Sequence, residues 1–133
     1  MIRIFIITIL FLVSLHGNAQ ATMFGYNLGE IKKELSEYKQ ETLKTDEGID
    51  YLVVNMKTTI MMYFLDDSLI CTHVIIMPKN TELLNLYIQK FNNEKNVVSS
   101  TAWNRYECGV IINYELQSLS NGRMYFLVTT TDI

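Results

Sequence analysis

The chain has 133 residues, with eleven Lys/Arg against fourteen Asp/Glu for a net charge of −3, and 49% hydrophobic and 19% charged side chains. That is one ordinary globular domain, and a single Pro and six Gly exclude collagen-like, Pro-rich and linker-like architectures. The acidic balance argues against a nucleic-acid binder, whose phosphate contacts need a clustered basic surface.

Arg3 is the only charge before Glu30. It precedes the apolar run Ile4-Phe5-Ile6-Ile7-Thr8-Ile9-Leu10-Phe11-Leu12-Val13-Ser14-Leu15, which leads into His16-Gly17-Asn18-Ala19-Gln20-Ala21. A basic start, an apolar stretch and an Ala-x-Ala end are the three parts of a secretory signal peptide. The run is too short to span a bilayer, which takes roughly 20 apolar residues. Residues 1–21 are therefore read as a signal peptide, cleaved after Ala19 or Ala21, and residues 22–133 as a single domain. The alternative is a retained, membrane-tethering N-terminus. No Cys stands at the cleavage region to carry an acyl anchor. The ending resembles signal peptides of small exported proteins of Bacteroidetes-type bacteria, and implies a periplasmic or extracellular location. Without residues 1–21, 112 residues remain, with ten basic and fourteen acidic groups and a net charge of −4.

Asn27 caps a helix whose stripe is Leu28, Ile31, Leu35 and Tyr38, ending near Gln40 to Thr42. Thr45-Asp46-Glu47-Gly48 is a turn cluster. Strands follow at Ile49 to Met56 and Thr59 to Leu65. The turn Asp66-Asp67-Ser68 then leads into Leu69 to Met77, the most strongly β-prone stretch and the expected sheet centre. Pro78 ends that strand, and Asn80 or Thr81 caps a second helix with a stripe of Leu84, Tyr87, Ile88 and Phe91. Val97 to Tyr106, Val110 to Leu116 and Arg123 to Thr130 are three further strands, with turns at Gly109 and Asn121-Gly122.

This pattern predicts an α+β fold: a two-layer sandwich of one antiparallel sheet with both helices on one face, in the order αβββ-αβββ. That order resembles the β-lactamase-inhibitor-protein-like fold and the outer-membrane assembly lipoprotein that shares it. The resemblance implies a module whose sheet face and loops bind other proteins. It carries no site residue over.

Chemistry-bearing residues are few. His73 is the only His beyond the signal peptide, and on a simple strand Cys71 and His73 share a face, as a thiolate–imidazole pair or half a metal site would require. Only Cys108 remains as a further soft ligand, so no metal is expected. Cys71 and Cys108 are a candidate disulfide in an exported chain, closing a loop of about 37 residues worth about 3–4 kcal/mol. The alternative is two reduced thiols packed as small hydrophobes. Asp66-Asp67 supplies too few oxygens for a calcium loop and reads as turn chemistry. No phosphate loop, nucleophile elbow, zinc helix or Cys-x-x-Cys is present, and no cofactor is expected.

Aromatic side chains stand out against this plain background. Tyr51, Tyr63, Tyr106, Tyr114 and Tyr125 fall on expected strands, with Trp103 close to Tyr106. Such side chains are interface anchors as well as ordinary strand formers. The sequence thus points to an exported, non-enzymatic module binding a protein or envelope component, with Trp103, Tyr106 and Tyr114 as candidate anchors on the sheet face away from the helices. The competing expectation is a small envelope enzyme or redox protein using Cys71, His73 or Cys108.

Overall fold

Asn27 is extended, and its Oδ1 accepts the amide of Glu30 at 2.9 Å, which opens helix α1 (Leu28–Glu34). The structure, a computed structural model, describes residues Met23–Ile133, so the signal peptide expected at residues 1–21 lies outside the described residues. The carbonyls at the end of helix α1 are met from outside it. Gln40 Nε2 donates to Leu35 O at 2.6 Å and to Lys32 O at 3.2 Å. Strands β1 (Lys39–Lys44), β2 (Asp50–Asn55), β3 (Thr59–Leu65) and β4 (Cys71–Pro78) follow. Asn80 Oδ1 then accepts the Leu83 amide at 2.8 Å and starts α2 (Thr81–Glu94). The chain finishes with β5 (Asn96–Ser99), β6 (Ala102–Glu107), β7 (Val110–Ser118) and β8 (Met124–Asp132).

All these strands form one eight-stranded antiparallel sheet in the order β1-β2-β3-β4-β8-β7-β6-β5. The expected two-layer α+β sandwich of order αβββ-αβββ is therefore corrected. The structure is mainly β, 51% strand and 19% helix, and each helix is followed by four strands. Two stretches carry the difference. Lys39–Lys44 is rich in helix formers, yet six cross-strand partners, from Lys39–Asn55 to Lys44–Asp50, hold it as an edge strand. Helix preferences among ordinary residues are worth under about 0.7 kcal/mol each, too little to resist a complete ladder. Val97 to Tyr106 is two strands because the Thr101 amide donates to Ser99 Oγ at 3.2 Å, and this local Ser turn reverses the chain.

The core lies against one face of the sheet. Leu52, Tyr63, Val74, Val128, Tyr114 and Trp103 stand directly opposite one another in a single row across six strands, all fully or almost fully buried. Ile31 and Leu35 near α1 and Phe91 of α2 join the same cluster. The Phe91 ring lies 4.8 Å from Phe126, 5.0 Å from Tyr114 and 5.6 Å from Trp103. Each such side chain contributes roughly 1.5–3 kcal/mol by leaving water. The period-two alternation that fills this face necessarily sends the other half of the strand residues outward.

Candidate binding groove on the outer sheet face

On the outer face, Val53, Met62, Ile75 and Leu127 form a second directly opposed row across β2, β3, β4 and β8. All four are only half-buried. Beside them Tyr51 and Phe64 are opposed, with rings stacked at 5.2 Å and 20°. Over β6 and β7 the same face turns polar, with Asn104 opposite Asn113 and Asn113 opposite Thr129. The larger apolar surface is thus a patch on the first four strands of the sheet order and β8, while Tyr106 and Ile111 form a separate opposed pair on β6 and β7.

A groove of about 650 Å³ opens at one end of this patch. Its floor is Phe64, Ile75 and Leu127, and two loops form its walls. In the β1–β2 loop, the Ile49 amide donates to Thr45 Oγ1 at 3.0 Å and Gly48 takes φ +85°, which folds Ile49 and Asp50 over the groove. In the β3–β4 turn, Asp66 Oδ1 accepts the amides of Ser68 and Ile70, both at 2.9 Å, which fixes Asp66 and Asp67 at the rim. Lys44 Nζ lies 3.6 Å from Asp50 Oδ1 on the same wall.

A β-bulge decides which side chains enter. Phe64 pairs with His73 but Leu65 pairs with Cys71, so Thr72 is the extra residue. His73 follows Ile75 outward by ordinary alternation and is exposed, whereas the shift turns Cys71 into the core at 2% exposure. Cys71 and His73 therefore do not share a face, contrary to simple alternation. The thiol donates to the His73 carbonyl at 3.6 Å rather than meeting the ring. Burial pushes the Cys71 thiol up to about 12, so it is not a thiolate at neutral pH. On the groove side, His73 Nδ1 and Thr72 Oγ1 are 2.9 Å apart.

The other sequence candidates scatter. Cys71 and Cys108 are both free thiols, the first buried and the second exposed. Cys108 takes φ +47° and Gly109 φ +85° in the two-residue hairpin between Glu107 and Val110. Of the three candidate anchors, Trp103 (1% exposed) and Tyr114 (2%) belong to the core, and only Tyr106 (67%) is open to a partner. The correction has a simple cause, since Trp103 and Tyr114 are opposite each other on the face that packs against Phe91. What was missed is Phe64, Ile75 and Leu127. The signal for Phe64 and Ile75 is that both alternating sets of residues 60–64 and 74–77 are apolar, more than one buried face uses.

A second cluster gathers where α2 ends. Lys95 Nζ sits 4.8 Å from the Phe91 ring centroid and 4.6 Å from that of Tyr114. Burial first, and then the Arg105 guanidinium, lower the Lys95 ammonium to about 8. Arg105 Nη2 in turn donates to Glu107 Oε2 at 2.9 Å.

Among the described residues no group of three or more His, Cys, Asp or Glu is placed to hold a metal, and no helix is long and apolar enough to cross a membrane. Comparison with known proteins finds no matching family model, no matching curated protein and no matching solved structure.

Proposed function

We propose that the chain is an exported, non-enzymatic binding module whose ligand, an apolar envelope component, lies in the outer-face groove. One observation carries this reading: a half-exposed apolar row, Val53-Met62-Ile75-Leu127, running into a groove of about 650 Å³. Sites for small ligands are concave, mostly apolar cavities of about 300–1,000 Å³ with a few polar groups at fixed places. Apolar surface left together on one part of a sheet face, with polar residues elsewhere on it, is how such sites are marked. The enzyme or redox alternative has less support. Its thiol, Cys71, is buried and protonated, its imidazole is on the opposite face, and Cys108 is at a hairpin tip.

Titration with Nile red, a neutral apolar dye, tests the site. The purified protein is expected to bind it saturably at one site, with blue-shifted emission. Ile75→Ser and Leu127→Ser are expected to weaken binding at least tenfold while circular dichroism stays unchanged. Leu86→Ser, on the exposed side of α2, is expected to change nothing. Equal affinity across all three variants would remove the groove from the protein's function.

A further inference from the structure

Charge around the groove is one-sided, and this narrows the ligand beyond the reading just given, on which the inference rests. We infer that the groove takes a small amphipathic amine, its apolar tail over Phe64, Ile75 and Leu127 and its positive head at Asp66 and Asp67. Three carboxylates and one ammonium line the groove: Asp50, Asp66 and Asp67 against Lys44. Lys44 and Asp50 lie 3.6 Å apart and largely cancel each other. Among the described residues neither Asp66 nor Asp67 makes an ion pair. The backbone amides of Ser68 and Ile70 hold the Asp66 carboxylate in place, so it cannot swing away from the mouth. Asp46 and Glu47 in the other wall's loop add to the same field.

The consequences for a ligand follow from elementary electrostatics. An anionic head seated on the apolar floor meets at least two uncompensated carboxylates and loses its hydration against them. A neutral hydroxyl head gains at most a hydrogen bond from them, with no net charge attraction. A cationic head gains at both, and low-dielectric walls concentrate the effect. Groove size favours a small molecule over a protein surface, because a protein interface buries about 800 Å² per partner across a broad, flatter face.

The experiment is a calorimetric titration of the purified protein with decylamine, decanol and decyl sulfate, all below their micelle concentrations, at low and high salt. Decylamine is expected to bind at least tenfold tighter than decanol, and decyl sulfate weakest. The gap between decylamine and decanol is expected to shrink as salt rises. Asp67→Lys keeps the Asp66-capped turn and is expected to lower decylamine affinity about tenfold, leaving decanol unchanged. Equal binding of decylamine and decanol, or a preference for the amine that survives Asp67→Lys, overturns the charge assignment while leaving the apolar groove standing. Failure of all three compounds together with Nile red overturns the binding-module reading as well. A dimer in sedimentation equilibrium that Ile75→Ser and Leu127→Ser dissociate places a second copy in the groove and overturns the small-ligand assignment.

Discussion

Trp103 of β6 donates its indole N–H to Asn92 Oδ1 of α2 at 2.7 Å, a polar link set inside an aromatic cluster. The bond ties the end of the second helix to the far half of the sheet. Asn92→Ala leaves a buried donor without a partner, and such a loss costs about 1–3 kcal/mol. Trp103 is the only Trp in the chain, so its fluorescence reports the result. The expected outcome is a lower urea midpoint together with altered native emission. An unchanged midpoint would show that the link contributes nothing to stability.

Strongly alkaline pH is expected to weaken the fold through its buried thiol and phenols. Burial raises the Cys71 thiol from 9.0 to about 12, and burial likewise raises the hydroxyls of Tyr63 and Tyr114. A group whose folded pKa lies above its unfolded value favours the folded state while it is protonated. For Cys71 that stability is fully present below pH 9 and is lost as pH climbs toward 12, on the order of 2–4 kcal/mol in all. Between pH 8 and pH 10.5 the lowered Lys95 ammonium works the other way, because the unfolded chain then holds the extra proton, so the fall in urea midpoint is expected above pH 10.5, and Cys71→Val is expected to flatten part of it.

Thiol labelling separates the two cysteines. Exposed Cys108 is expected to react with a disulfide reagent such as dithiobis-nitrobenzoate at the rate of a free thiol, whereas buried Cys71 waits for global opening. A stoichiometry of two in the burst phase of the native protein would contradict the buried assignment.

The same hairpin invites a stabilising change. A two-residue turn with positive φ at both positions favours Asn-Gly, and Cys108 occupies the place of the Asn. Cys108→Asn is expected to raise stability by about 1 kcal/mol by relieving that strain. The thermal midpoint of the variant is the check.

Lys95 is expected to be an unusually reactive amine. With its ammonium lowered to about 8 by burial and by Arg105, about half of it is neutral at pH 8, where an ordinary lysine is almost wholly charged. Trace acetylation at pH 8 followed by peptide mass analysis is expected to find Lys95 ahead of the lysine average. Arg105→Gln is expected to lower its reactivity.

How far all this was legible depends on which force decided each feature. Asn27 and Asn80 announce their helices because a cap is a local hydrogen bond, and both bonds form where expected. Gln40 and Glu41 do not announce a strand, since their preference is helical and only the partner strand Asp50–Asn55 makes them extended. Ser99 and Thr101 hold a turn that a run of β-prone residues hides. The groove was the least visible. Its floor depends on register across three strands, and the Thr72 bulge, which turns Cys71 inward while His73 stays outward, leaves no mark in period-two spacing. Trp103 and Tyr114 show the converse error: residue type suggests a surface anchor, and the face they point to makes them core.

The join between β4 and β8 is the narrowest ladder in the middle of the sheet, with only Val74–Val128, Ile75–Leu127 and Ile76–Phe126 in register. Every other strand pair in the sheet joins neighbours in the chain, so each half zips through short loop closures. This one contact brings together residues fifty or more positions apart. Loop-closure entropy makes such a meeting slow. The expected folding order is two independently formed half-sheets that meet last at this seam. The apolar row Val53-Met62-Ile75-Leu127 crosses the same seam. The groove is then complete only once both halves have docked, so a ligand bridging Ile75 and Leu127 would act as a clasp on the finished fold and slow its opening.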